Sequence, residues 1–271
     1  MRAVVLNQGG GAWAFEAVVE RLARALWVDV SDEPGDWNLV LAWDGTEPPG
    51  GRSFVPPAAA AVAADKRLQV ERFREHGVPT PRTVLLDALE GPPPSGSASG
   101  RWVVKYPTSS GASGHRFLGE PVPTDWPRPF VVQEFVELDP PEVYRLYGAG
   151  GDLFGWNVRR FGPDQPASPW VAHATGARYV HLGPSPAGAT AAARRALAAC
   201  GLLGSFGCVD LLPSPDGWLV LEVGTDGPAG HVDRDVGEPL ATELDRRLAS
   251  AFWAAVGPAP WRGAWRPRAP R

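Results

Sequence analysis

The stretch SFGCVDLLPSPDGWLVLEVG (205–224) constrains the fold more than any other part of the chain. Two runs of strand-forming residues flank PSPDG, whose Pro, Asp and Gly favour a turn, so the segment reads as an antiparallel hairpin. Each run carries one carboxylate among apolar neighbours. Asp210 sits with Cys208, Val209, Leu211 and Leu212, and Glu222 with Leu219, Val220, Leu221 and Val223. Opposed across the ladder, the two share one face. A buried carboxylate pair without a cation is strongly unfavourable. On rigid strands such a pair suits Mg²⁺ bridged to phosphates, with water in the remaining positions. The alternative is a solvent-facing pair on a half-exposed hairpin.

The cations narrow the reading further. Of 26 basic residues only Lys66 and Lys105 are lysine, the chain has no Ile, and it has three Asn. This usage fits a GC-rich coding sequence in which Arg serves as the general surface cation. The two lysines then mark places for a compact point charge rather than a rigid fork, unless both are chance survivors. Lys105 ends the strand RWVVKYP and is followed at once by Thr108, Ser109, Ser110, Gly111, Ala112, Ser113 and Gly114. Such a loop exposes N–H groups and hydroxyls with little bulk and can fold over a polyphosphate. No GKS or GKT closes it, so it is not a Walker loop, and a plain flexible loop is the alternative. VVQEFVEL (131–138) reads as a hinge strand for a nucleobase or as an ordinary buried strand. EVYRLYGAGGDLFGWNVRRF reads as a hairpin carrying Arg145, Arg159 and Arg160. Neighbours on a strand face opposite ways, so one of Arg159 and Arg160 turns inward. There it stabilises phosphoryl charge, unless the arginines form a solvated basic face.

The chain begins with a βαβ pattern: AVVLN, then QGGG, the helical AWAFEAVVERLARAL, and the strands WVDV and NLVLAW. Gly9–Gly11 reads as an anion cradle or a plain tight turn. A Pro- and Ala-rich segment precedes DKRLQVERFREHGVPTPRTVLL, a helix to about His76 capped by Gly77. Residues 91–100 form a flexible loop. PSPAGATAAARRALAACGLL and EPLATELDRRLASAFWAAV are helices. The tail GPAPWRGAWRPRAPR is expected to be mobile. Its Arg262, Arg266, Arg268 and Arg271, with Trp261 and Trp265, offer contacts to an acidic peptide, against the plainer reading of a solvated tail.

A length of 271 residues suits about two domains. The composition, 44% hydrophobic and 21% charged, excludes whole-chain disorder. No apolar run reaches the ~18 residues of a membrane span, and the start lacks the pattern of a secretory signal. Cys200 and Cys208 lack CxxC spacing, which points to a reducing cytoplasm. A net charge of −4 gives no global case for nucleic acid.

The order DK-helix-GVPTP, strand–Lys–small loop, QEFVE hinge, EVYR hairpin with RR, then VDLL–hairpin–LEV resembles the ATP-grasp superfamily over about residues 62–255. Within it the chain is similar to carboxylate–amine ligases such as D-alanine:D-alanine ligase. It is more similar to the branch of the ribosomal-protein glutamate ligase, the lysine-biosynthesis carrier ligases and the ribosomal-peptide-cyclising ligases. The resemblance implies an α/β chain of α+β lobes, an ATP-grasp fold preceded by a short parallel βαβ domain. The implied units are 1–62, a first lobe 63–137, a second lobe 138–257 and a tail 258–271. It implies an ATP- and Mg²⁺-dependent ligase forming an amide through an acyl phosphate, with small-molecule or peptide carboxylate and amine substrates. Lys66 and Lys105 are implied to contact ATP phosphates, with Ser109, Ser110, Gly111 and Ser113 above them. Glu134, Phe135 and Val136 would form the adenine hinge, and Glu142 would hold the ribose. Arg145 and Arg159 or Arg160 would stabilise the transferred phosphoryl group. Asp210 and Glu222 would bind Mg²⁺. Gly224 stands where the family has a third, Asn ligand, and Asp226 is the substitute. HATGARY (173–179) falls at the family's acceptor loop. A phosphotransferase for another acceptor and a non-catalytic nucleotide-binding regulator are the alternatives.

Overall fold

A computed structural model describes residues 1–6, 13–40, 50–91, 93–97, 99–109, 114–225 and 240–257. Among the described residues three sheets carry the architecture. The first is wholly parallel, in the order β2 (Asp29–Ser31), β1 (Ala3–Leu6), β3 (Trp37–Val40), β4 (Arg52–Ser53), with helix α1 (Trp13–Leu26) between β1 and β2. The second is antiparallel, in the order β5 (Thr83–Leu86), β8 (Phe130–Glu134), β6 (Trp102–Lys105), β7 (His115–Phe117). The third, also antiparallel, runs β11 (Arg178–His181), β10 (Asp152–Arg160), β9 (Glu142–Ala149), β12 (Phe206–Ser214), β13 (Gly217–Gly224).

The buried side chains explain where a cleft forms. One core joins α1 through Leu22 and Leu26 to the third sheet through Leu146 and Val209. Helix α5 (Leu240–Val256) adds Leu248 and Phe252 to it. The second sheet has a separate core of Trp102, Val104, Trp126, Phe130 and Val132. Two cores with a seam between them leave a crevice at the seam, a common place for a ligand. Helix α4 (Ala187–Ala199) lies close on the third sheet because small residues meet it: Ala189, Ala192, Ala193 and Ala196 are buried. A Cβ on Gly148 would come 2.5 Å from Leu197, and one on the cross-strand Gly207 2.8 Å from it.

Helix α3 (Lys66–Glu75) ties the second sheet to the third. Asp65 caps it by accepting the Arg67 N–H at 2.8 Å, and Gly77 ends it at φ +59°. The Lys66 N–H donates to the Pro107 carbonyl at 2.9 Å. Buried Gln69 donates to the carbonyls of Ala63 (2.8 Å) and Val223 (3.0 Å) and accepts the Val223 N–H (2.9 Å). Gln69→Leu keeps the volume and deletes all three bonds. It is expected to cost about 2–4 kcal/mol through orphaned main-chain groups, read as a lower urea midpoint at unchanged m-value.

Two elements differ from the sequence reading. The Pro- and Ala-rich segment contains helix α2 (Pro57–Ala64), with Pro at its first turn where no N–H is missed. Within HATGARY only His173–Thr175 form a 3₁₀ turn; Arg178 and Tyr179 belong to β11, and Tyr179 is buried. The glycine triplet, the tail and its Arg and Trp residues lie outside the described residues.

Candidate functional site

Asp210 pairs with Glu222 across β12 and β13 and with Arg145 across β12 and β9. The hairpin register therefore sets three ionisable side chains in one cross-strand row. Asp210 is 3% exposed and carries two guanidiniums. Arg145 donates from Nε to Oδ1 at 2.6 Å and from Nη2 to Oδ2 at 2.9 Å, and Arg159 Nη2 also donates to Oδ2. Strand alternation decides between the adjacent arginines. Arg159 is buried and lines the cavity, with an Nε that has no hydrogen-bond partner among the described residues. Arg160 turns out of the cavity and lies 3.6 Å from Glu142.

The seam encloses a cavity of about 290 Å³. Lys105, Arg159, Asp210 and Glu222 line it, together with Glu134, Phe135, Val136 and Glu142. Lys105 ends β6, is 5% exposed, and donates to Gln133 Oε1 at 2.6 Å. Burial pushes its ammonium down to about 8. Lys66 opens α3, donates to the Ser109 carbonyl at 2.6 Å, and lies 3.6 Å from Glu222. Burial alone would raise the Glu222 carboxyl, but Lys66, Lys105, Arg159 and Arg145 together hold it at about 2. Glu142 accepts the Tyr144 hydroxyl at 2.6 Å, and burial, with that bond, raises the phenol to about 12.

In the hinge strand, the Glu134 N–H donates to the Arg82 carbonyl and the Phe135 N–H to the Arg101 carbonyl. The Phe135 carbonyl accepts from Ser99 Oγ. Both main-chain groups of Phe135 are thus spent inside the protein, and Val136 is the next hinge residue in line. Ser110, Gly111, Ser113 and Asp226 lie outside the described residues. Arg145 reaches the site through Asp210 rather than by lining the cavity.

Sequence reasoning missed a wall of the cavity. The segment from Ala167 to Ala172, between β10 and the 3₁₀ turn, lines it, whereas the anticipated residues 173–179 do not. Trp170 packs its ring at 4.8 Å from Phe117, 5.3 Å from His115 and 6.2 Å from Phe135. Arg101 stacks on Phe117 and Phe135 from 4.1 and 4.7 Å. Burial, with Lys105 and Lys66 nearby, pushes His115 well below the usual imidazole range, so it is neutral at pH 7. No sequence signal marks Trp170, but Gln133 was legible as a polar residue inside an apolar run.

Similarity to solved structures places this geometry. An ATP-grasp ligase, PsnB, complexed with a minimal precursor superposes with a TM-score of 0.60 at 14% identity, covering 93% of this chain and 98% of that one. D-cycloserine synthetase DcsG gives 0.60 at 17% identity, covering 93% and 99%. The chain has an ATP-grasp fold. A D-alanine–D-alanine ligase from Bacillus anthracis matches at 0.59 with 16% identity, covering 93% and 96%. No protein-family model and no curated protein matches the sequence. No helix among the described residues is long and apolar enough to cross a membrane.

In an ATP-grasp frame the donor chemistry fits Mg²⁺ in a limited sense. Among the described residues no three His, Cys, Asp or Glu side chains gather to hold a metal. Mg²⁺ is commonly held by one or two carboxylates together with substrate phosphates, so a full protein cage is not required. Glu222 is ionised and a third exposed, which suits that role. Asp210 would have to share its oxygens with Arg145 and Arg159.

Proposed function

We propose that the chain is an ATP-dependent ligase that joins a carboxylate to an amine and releases ADP and phosphate. One observation carries this reading. Inside an ATP-grasp fold, both lysines of the chain act on the Glu222 carboxylate, Lys66 from 3.6 Å and Lys105 from the wall of the cavity that Glu222 and Asp210 also line. In the proposed reaction a carboxylate oxygen attacks the γ-phosphorus of ATP and ADP leaves. The acyl phosphate is then attacked by an amine, which loses a proton as phosphate departs. The protein contributes position and charge rather than covalent chemistry.

Lys66 and Lys105 would neutralise the phosphates, under a roof of Ser109, Ser110, Gly111 and Ser113. Glu134, Phe135 and Val136 would take the base and Glu142 the ribose. Arg159, with an Nε unpartnered among the described residues and with Arg145 behind Asp210, would stabilise the transferred phosphoryl group. Arg160 would act through Glu142. Asp210 and Glu222, with Asp226, would hold Mg²⁺, which when bound screens charge on the β- and γ-phosphates. Trp170 and its segment would keep water from the acyl phosphate. The lobes 63–137 and 138–257 would clasp the nucleotide, with 1–62 packed against the second. The substrates would be small molecules or peptides met in the cytoplasm; a neighbouring structure is PsnB with its precursor peptide.

The test is product analysis. With Mg–ATP and pooled amino acids and peptides, ADP should form only when both a carboxylate and an amine are present. AMP as the product, or ADP release indifferent to the amine, would overturn the ligase. The saturated Asp210 and Gly224 favour a second reading, a nucleotide-binding regulator without turnover. Binding of ATP with no ADP formed across the pools would select it.

A further inference from the structure

Among the described residues, the Lys and Arg side chains that line the cavity or lean on its carboxylates are each paired with an acid, except one. Lys66 lies 3.6 Å from Glu222, Arg101 lies 3.5 Å from Glu137, and Arg145 and Arg159 share Asp210. Lys105 instead donates to a neutral partner, Gln133 Oε1, at 2.6 Å. Both side chains are buried, Lys105 at 5% and Gln133 at 6% exposed. Buried charges are as a rule paired with an opposite charge, and here an amide stands in that place. The sheet register builds the contact. Gln133 on β8 is opposite Thr83 on β5 and Val103 on β6, and Lys105 is the next residue of β6 on the same face as Val103. The amide can point only one way. The Thr83 hydroxyl gives its one hydrogen to the Pro81 carbonyl at 2.7 Å, so toward Gln133 it accepts, from Nε2 at 3.0 Å. The Gln133 side-chain carbonyl is thereby turned to Lys105.

We propose, resting on the reading that Lys105 meets the ATP phosphates, that Gln133 is a positioning residue. Set by Thr83 and the Pro81 carbonyl, it fixes the Lys105 ammonium on the cavity wall and leaves its charge uncancelled for an anion. A neutral acceptor orients an ammonium through one hydrogen bond. A carboxylate in the same place would orient it equally well, but would neutralise it and repel an incoming phosphate. Gln133 acts through Lys105 and takes no part in the transfer itself. The relay also ties the lysine to main chain outside β6, because it ends on a carbonyl just ahead of β5.

The experiment compares the full-length chain with Gln133→Glu and Thr83→Val. It reads the melting midpoint without ligand, the affinity for Mg–ATP, and the carbon-13 signals of lysine labelled at Cε. The chain has only two lysines, so two signals are expected, and Lys105→Met assigns them. Gln133→Glu keeps the shape and supplies a counter-charge. It should hold or raise the midpoint, yet weaken Mg–ATP binding roughly tenfold. Thr83→Val keeps the shape and frees the amide to turn over. It should lower the midpoint and weaken binding together. In both variants the Lys105 signal should move while that of Lys66 stays. A purely structural role would make affinity follow the midpoint, and Gln133→Glu separates the two. Wild-type affinity in Gln133→Glu would overturn the proposal, and so would an affinity loss there that only tracks a lowered midpoint. Failure of the nucleotide reading shows separately, as a wild-type chain indifferent to Mg–ATP. The positioning role is then scored on the labels alone, and a Lys105 signal unmoved in both variants overturns it.

Discussion

Exchanging Asp210 for Asn is expected to lower the stability of the chain by about 3–5 kcal/mol. Asn keeps the shape of the side chain and removes its charge. Buried Arg159 and the nearly buried Arg145 would both point at a neutral amide that donates where the carboxylate accepted. A buried ion pair stabilises little compared with apolar packing, but breaking one side leaves an uncompensated charge. Here one anion serves two cations, so the loss falls twice. For a chain of this size the melting temperature should fall by on the order of 10 °C. Removing one guanidinium as well, in Asp210→Asn with Arg145→Met, should recover part of the loss. The two changes would then be non-additive, as expected for contacting residues. A single-variant midpoint within about 2 °C of wild type would show that the carboxylate is not the counter-ion that holds the arginines. Nucleotide turnover should be lost in both variants, so stability and catalysis are scored apart.

Much of this site was legible because its logic is local. The turn PSPDG sets the hairpin register, which sets Asp210 opposite Glu222. Strand alternation separates Arg159 from Arg160 without knowledge of anything distant. A strand ending in lysine before a run of small residues also declares itself. What escaped was non-local. Arg145 meets Asp210 65 residues away, across β9 and β12, and nothing in either segment announces the partner. Gln69 grips Val223 over 154 residues. Trp170 belongs to a segment without periodicity, and only packing against Phe117 and His115 gives it a role. Helix α2 was obscured because its alanines show no polar and apolar faces, so its signal is propensity alone.

Lys105→Met is expected to strengthen the empty protein and disable it together. In the folded chain burial lowers the lysine to about 8, against 10.5 for an exposed one. Below pH 8 both folded and unfolded chains carry the proton, and the folded state bears the full cost of a buried charge. Between about 8 and 10.5 the unfolded chain holds more protons than the folded one, so stability rises with pH as that cost is relieved. The cost is on the order of 3 kcal/mol, offset in the variant by about 1–3 kcal/mol for the Gln133 carbonyl that loses its donor. Met should therefore match or exceed wild type at pH 7, and its advantage should shrink steadily up to pH 10.5. Ligand gives the opposite sign. Mg–ATP at a hundred times its dissociation constant should add about 2.7 kcal/mol to wild type, and the variant should lose nearly all of it. A flat pH difference between the two proteins would mean that Lys105 is not held in a depressed state. An undiminished Mg–ATP shift in the variant would mean that its ammonium is not what the phosphates meet. On the proposed function, a residue that costs stability where it stands, and that the chain retains as lysine amid 24 arginines, would be explained by the anion it meets rather than by the fold it burdens.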